Sequence, residues 1–290
     1  MASLKEIKGR IHSVKSTQKI TSAMKMVSSA KLRKAQKLIE NFLPYEEKLN
    51  TLLRNFLSAE EDTNVSPLSE NREVRRVAIV AVSSNSSLCG SFNANVIRLF
   101  EKTVESYRHL GADNVLVYPI GKKIHKSCAK IGVEPQCSLE ELADKPNYEG
   151  AMQLAEELIQ LFLKKEVDKV EIIYHHFKNR SSQVLMHDTF LPLELHNQTE
   201  ASAHSLNYIV EPDKETILGE LIPKVLRLKI YATLLDSNAS EHAARTIAMQ
   251  MATENANDLL QDLSLQYNKS RQQAITNELL DIIGGSFGMN

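Results

Sequence analysis

The chain has 290 residues, with 35 Lys/Arg against 36 Asp/Glu, and its net charge of −1 argues against a polyanion partner for the molecule as a whole. Its three cysteines, Cys89, Cys128 and Cys137, form no CxxC pair and no metal framework, and the sequence holds no secretory or long apolar run. The expectation is a reduced, soluble, intracellular protein, large enough for one big domain or two ordinary ones.

Residues 3–57 read as helix. Ser3 and Glu6 have the spacing of a capping box ahead of Ile7, Ile11 and Val14. Apolar positions then settle into two series seven apart, Ala35, Phe42, Leu49, Phe56 and Leu38, Tyr45, Leu52, with Pro44 expected to kink the helix or shift its register. Residues 1–57 carry 12 Lys/Arg against 4 Asp/Glu, whereas 58–213 carry 16 against 23. A basic arm on an acidic middle calls for an acidic partner surface; a protein loop ranks ahead of nucleic acid, because the arm lacks a single basic stripe and has no aromatic before Phe42.

Residues 58–73, polar and acidic with Pro67, read as a linker. The period then changes. Strands are expected over 74–83, 114–120, 169–177 and 181–191, and helices over 93–110, 122–131 and 150–165, which together predict a small α/β domain with a mainly parallel sheet over about 74–210. The turn Ser83-Ser84-Asn85-Ser86-Ser87-Leu88-Cys89-Gly90 sits where such folds place ligands, yet it has no phosphate-cradling glycine spacing and reads as a polar turn. Cys89 has no base near it in sequence, so a small buried thiol is the simpler reading. His175 and His176 are neighbours on a strand, point to opposite faces and cannot chelate one ion. No catalytic, cofactor-binding or metal set emerges.

From Lys224 to Ile283 there is no glycine or proline, and Pro223 and Gly284-Gly285 are expected to bracket one helix. A heptad reading marks Val225, Leu228, Ala232, Leu235, Ala239, His242, Thr246, Met249, Thr253, Ala256, Leu260 and Leu263, a seam diluted by small and polar residues. A helix of roughly 90 Å needs a partner helix or a surrounding assembly. An antiparallel coiled coil of the two terminal helices is favoured over a folded-back bundle. The expected division is 1–57 coil helix, 58–73 linker, 74–210 inserted Rossmann-like α/β domain and 211–290 coil helix.

Three blocks then stand out. SLKEIKGRIHSVKSTQKITSAMKMVSSAKLRKAQ (Ser3–Gln36), Leu88-Cys89-Gly90 with Asn93 and Asn95, and SEHAARTIAMQMATENANDLLQDLSLQYNKSRQQAITNELLDIIGG (Ser240–Gly285) resemble, in order, the gamma subunit of F-type ATP synthase. The resemblance implies a central rotor: an antiparallel coiled coil standing in the hexamer of alpha and beta subunits, with a foot docked on the c-subunit ring beside the epsilon subunit. One copy per complex would couple proton-driven rotation to ATP synthesis or hydrolysis at the beta sites. The chain itself would be non-catalytic, with no cofactor and no nucleic acid.

By the same resemblance Arg271 and Gln272 match a pair that hydrogen-bonds a beta-subunit loop. Met24 and Arg245 match positions that couple rotation to catalysis, with Met24 near an acidic lever of the beta subunit. Lys19, Thr276 and Glu278 belong to the same coupling surface. Ser28, Ser29, Thr246, Thr253, Asn255 and Asn257 would lie on the coil's outer surface and keep rotational barriers shallow. Two departures stand: Asn85-Ser86-Ser87 replaces an Asp-Arg/Lys-Gly element, and Ser286–Asn290 replaces a small apolar ending. Neither Cys128 nor Cys137 stands where chloroplast members carry a redox pair. A Met-Ala-Ser start without a transit segment favours a bacterial chain, peripheral on the cytoplasmic side of the inner membrane.

Overall fold

The computed structural model describes residues 3–58, 66–193, 210–211 and 213–287. The chain divides into two compact units, one formed by Ala30–Ala244 and one by Met1–Ser29 with Arg245–Asn290. Helix α1 (Leu4–Ser58) and helix α6 (Lys214–Phe287) contribute to both.

In the larger unit, β1 (Val77–Val82), β2 (Val115–Ile120), β3 (Lys169–Asn179) and β4 (Ser182–Leu191) form one sheet in the order β2-β1-β3-β4. β1 pairs parallel with β2 and β3, and β4 returns antiparallel to β3. The six residues of β1 are all buried because both faces are covered, and their alternation sorts them. Val77, Ile79 and Ala81 pack with α2 (Phe92–Ser106) and α3 (Lys122–Ile131). Ala78, Val80 and Val82 pack with α5 (Tyr148–Leu163), the short α4 (Glu140–Asp144) and parts of α1 and α6. This is a two-faced α/β layer with an antiparallel edge strand.

Local chemistry fixes the boundaries. α3 ends at Gly132, whose φ of +72° supplies the left-handed cap. α5 begins at Asn147, whose side chain accepts from the Gly150 N–H at 2.7 Å. The 3₁₀ turn Pro67–Ser69 and α4 have too few residues to show a period, and the sequence reading passed over both. Leu68 in that turn is buried in the sheet core, and Arg72 donates to the carbonyls of Phe162 and Val167 while pairing with Asp168. The 66–73 stretch is thereby bound to the sheet domain, whereas 59–65 of the expected linker, and 194–209 of the expected inserted domain, lie outside the described residues.

The terminal helices pair in antiparallel sense. In the larger unit Leu32, Ala35 and Ile39 of α1 pack with Leu235, Ala239 and Ala243 of α6. In the smaller unit Thr21 meets Thr253, oxygen to oxygen at 2.8 Å. The capping box is formed as expected: the Ser3 N–H donates to Glu6 Oε2 and the Glu6 N–H donates to Ser3 Oγ.

Three expectations need correction. α6 starts ahead of Pro223 and runs through it, because Leu218 and Ile222 are anchored in the core and hold the turns that proline weakens by one hydrogen bond. It also runs through Gly284-Gly285 to Phe287, so the glycine pair is no stop. Pro44 lies inside α1, which continues past it to Ser58. Of the two α1 series, Ala35, Phe42, Leu49 and Phe56 face inward, but Leu38 and Tyr45 are exposed; Leu32, Ile39 and Leu53 take the second row, one position over.

Candidate functional site

No described residues form a group of three or more His, Cys, Asp or Glu able to hold a metal, and no described helix is long and apolar enough to cross a membrane. The serine-rich turn is occupied by its own side chains. Ser83 Oγ accepts from the Ile124 N–H at 3.0 Å, Asn85 Oδ1 from Lys122 N–H at 2.9 Å, and the Ser84 carbonyl from Lys123 N–H. The first N–H groups of α3, where a phosphate would bind, are therefore already spent. Gly121 is required there: its φ is +95°, and a Cβ would stand 2.3 Å from the Ser83 carbonyl oxygen. Asn85 also donates to the Glu140 carbonyl and to Asp144, both at 2.8 Å, so the residue that departs from the resembled pattern ties this turn to α4.

The cysteines are inert by environment. Cys89 is buried and receives a hydrogen bond from Asn93 Nδ2 at 3.0 Å. Burial pushes the Cys128 and Cys137 thiols up to about 11, so neither supplies a thiolate near neutrality. His175 is buried against the Phe92 ring, centroids 4.4 Å apart, and burial lowers its pKa to about 4. His176 points the other way, its Nδ1 2.6 Å from Asp236 Oδ2. The opposed orientation is as expected for strand neighbours.

A buried charge network went unread in the sequence. Glu171 on β3 accepts from Tyr107 at 2.7 Å, Lys169 at 2.6 Å and His187 Nε2 at 2.8 Å. Burial alone would raise its pKa, but hydrogen bonds from His187, Lys169 and Tyr107 outweigh that and hold it at about 2. The signal available was an ionisable residue at an inward position of an apolar strand run, which must have partners to be tolerated. The network joins the sheet edge to the end of α2. It is structural.

In the smaller unit the expected coupling residues fall into distinct settings. Lys19 is exposed and Met24 is half-buried on α1. Arg245 is buried, 7% exposed. Arg271, Gln272, Thr276 and Glu278 are all exposed, roughly 40 Å further along α6 from Arg245 at ~1.5 Å per residue. Helical spacing puts Arg271 and Glu278 on one face and Gln272 and Thr276 on the adjacent one, where the Thr276 hydroxyl donates to the Gln272 carbonyl at 2.9 Å. The helix brings these four together, but it does not bring Arg245 to them.

Two of the small polar residues expected on the outer surface are inside. Ser28 and Thr246 are buried, and Thr253 is half-buried with its hydroxyl on Thr21. Close approach of two helices favours small side chains, and the two hydroxyls satisfy each other. Asn255 and Asn257 are exposed as expected. The seam's last buried residue is Leu263, and every side chain from Ile275 to Ile283 is exposed, including Leu279, Leu280 and Ile282. Apolar residues at this density on an uncovered helix mark a surface that another molecule covers.

Comparison with known proteins adds a full-length match. The family described as ATP synthase matches residues 3–288. An ATP synthase gamma chain from Bacteroides fragilis is 59% identical, and one from Phocaeicola vulgatus 57% identical, each over 99% of both chains. Among solved structures, a chain of the Euglena gracilis mitochondrial ATP synthase assembly of OSCP, F1 and c-ring aligns with TM-score 0.66 at 18% identity, over 99% of this chain and 94% of that one. A chain of the Tetrahymena thermophila mitochondrial ATP synthase central stalk and c-ring aligns with TM-score 0.59 at 24% identity, over 80% and 99%. At these identities the structural matches bear on the fold, and the fold agrees.

Proposed function

This chain belongs to the ATP synthase family as a gamma chain, and we propose that it is the central rotor shaft that couples ion-driven rotation to catalysis on other subunits. The observation that carries the reading is the 59% identity over 99% of both chains, with the fold of two paired terminal helices and a sheet domain beside it. The uncovered end of α6 supports it: a shaft end with exposed Leu279, Leu280 and Ile282 is suited to an apolar sleeve.

On this reading one copy stands in a hexamer of alpha and beta subunits, with the epsilon subunit and the c-subunit ring at the sheet domain. The complex is peripheral on the cytoplasmic face of a bacterial inner membrane. The chain makes and breaks no bond. The exposed Arg271 guanidinium can clasp a carboxylate through two parallel hydrogen bonds in one orientation and release it in another, with Gln272 beside it as a neutral donor. Lys19, Met24, Thr276 and Glu278 complete the contact surface. Arg245, buried, acts from within the shaft by holding its shape against torque. The divisions 1–57, 58–73, 74–210 and 211–290 are then coil, connector, foot and coil.

Mixing the purified chain with alpha and beta subunits tests the proposal. One defined complex containing a single copy of this chain, with ATP hydrolysis that depends on it, is the expected result. Well-folded chain that fails to associate would overturn it.

A further inference from the structure

Within the larger unit the sheet core reaches α6 as far as Leu234, and the β3–β4 hairpin carries the contact further. β3 pairs with β1 only up to Ile173, opposite Ala81, whereas its pairing with β4 continues to Asn179 opposite Ser182. Residues 174–179 and 182–186 thus form a two-stranded ribbon beyond the sheet, and such a ribbon is marginal unless something covers it. Here the paired helices cover it. Phe177 packs on the cluster of Leu32, Ala35 and Ile39 with Leu235, Ala239 and Ala243. The buried Ser240 hydroxyl donates to the His175 carbonyl at 3.2 Å, and Asp236 Oδ2 lies 2.6 Å from His176 Nδ1. At the base of the hairpin Lys229 donates to the Thr189 carbonyl at 3.2 Å. The ribbon is also tied to α2, where the His175 ring stacks on Phe92.

We propose that Lys229, Asp236 and Ser240 fix this ribbon on α6 as a strap, and that the strap carries torque between the sheet domain and the paired helices. The three residues stand at i, i+7 and i+11, one polar stripe of α6 spanning roughly 16 Å. Contacts spread along a helix resist a bend or twist that a single contact would allow. Two of the three end on main-chain carbonyls, which cannot swing away as side chains can. Apolar packing such as that of Phe177 tolerates sliding, whereas buried polar contacts set register. Asn238, about 200° round the helix from Asp236, donates to the Ala143 carbonyl of α4 at 2.9 Å, so the sheet domain holds this level of α6 from two sides. The torque role rests on the rotor reading; the strap itself does not.

Hydrogen exchange read by mass spectrometry on the full chain tests the strap. Lys229→Met together with Ser240→Ala removes both bonds to the hairpin carbonyls while keeping the packing of the lysine stem. Exchange over residues 174–187 should quicken roughly three- to tenfold, with residues 77–82 of β1 keeping the wild-type rate. Equal quickening in both stretches would make the hairpin part of the sheet's own cooperative unit and overturn the strap, and so would no change in either. Should the double variant fold poorly, Phe177→Ala removes only a half-buried ring and should give the same local pattern. The torque role is read in the complex assembled with alpha and beta subunits, with a bead fixed to the sheet domain. At rest the bead's angular spread should be wider in the double variant than in wild type, with ATP hydrolysis unchanged; an equal spread would overturn the torque role. Failure of the wild-type chain to assemble would overturn the rotor reading and the torque role with it, while the exchange result decides the strap on its own.

Discussion

Two stretches of α6 use similar residues in different ways. Between Val225 and Ala243 burial reaches well around the helix: Leu226, Ile230 and Leu234 belong to the sheet core, while Leu235, Ala239 and Ala243 belong to the contact with α1. Beyond Thr246 the buried positions thin to a single stripe, Met249, Ala256 and Leu263, and from Ile275 to Ile283 none is left. The number of buried faces counts the partners a helix has within its own chain: two, then one, then none. Apolar residues do not thin out in step. Where Leu279, Leu280 and Ile282 persist without cover, the missing partner is another molecule.

The comparison breaks most easily at its two-partner end. Phe162, fully buried against that core with the Arg72 guanidinium 4.3 Å from its ring centre, should cost about 3–5 kcal/mol on truncation to alanine, read as a drop in the unfolding midpoint of the isolated chain. Glu171→Gln comes next. It leaves Lys169 and His187 without their anion, and because both are partly exposed and can be rehydrated, the loss should be about 2 kcal/mol. The wild-type contribution has a defined pH signature. With the folded pKa held at about 2 against an ordinary 4.5, it is complete above pH 4.5 and is lost as pH falls through that window. The variant should lose that part of the acid sensitivity, and unchanged acid unfolding would show that the network is not what acid attacks.

How far the sequence revealed these settings depended on whether the relevant partner was local. The heptad series of α6 was legible because a seam leaves its period in the sequence: nine of its twelve positions are buried, and Ala232, Thr253 and Leu260 are half-buried. The ends of α3 and the capping box were legible because caps act over three or four residues. Leu38 and Tyr45 were misplaced because a seven-residue spacing alone does not say which of two adjacent rows a third element will cover. Pro223 read as a boundary because propensity is local, whereas the anchors Leu218 and Ile222 are held by residues far away in sequence. The partners of Glu171 lie 2 to 64 residues off, and no spacing rule links them. The residues proposed for coupling left no physical signal at all: Arg271 and Glu278 have the composition of any solvated helix face, and only the family resemblance singled them out.

The single-stripe region should respond more gently. Thr253→Val keeps the shape of the side chain and removes the hydroxyl that meets Thr21 at 2.8 Å, which also makes a bond to the Met249 carbonyl. The remaining Thr21 hydroxyl still has the Gln18 carbonyl at 3.0 Å, so no buried donor is stranded. A loss of about 1 kcal/mol or less is expected in the unfolding midpoint. A loss as large as that of Phe162→Ala would mean the seam has more than one covering face.

The region without a partner should show no stability effect at all, which makes it the sharpest test of the contrast. Arg271 is exposed on α6 beyond Leu263, the last buried residue of the seam, and alanine has the higher helix propensity. Arg271→Ala should therefore leave the isolated chain within about 0.5 kcal/mol of wild type by thermal or urea unfolding. On the proposed role, the same change in the assembled complex would remove a two-bond clasp on a carboxylate, and ATP hydrolysis should weaken by about tenfold for each ~1.4 kcal/mol of stabilisation lost along the turnover cycle. Lysine at this position restores the charge without the planar fork, so Arg271→Lys should recover only part of the rate. If alanine costs stability in the isolated chain, the helix end has a partner within the chain. If alanine costs nothing in the complex, the clasp is not at Arg271, and the exposed apolar face of Leu279, Leu280 and Ile282 alone would have to account for how the sleeve holds the shaft.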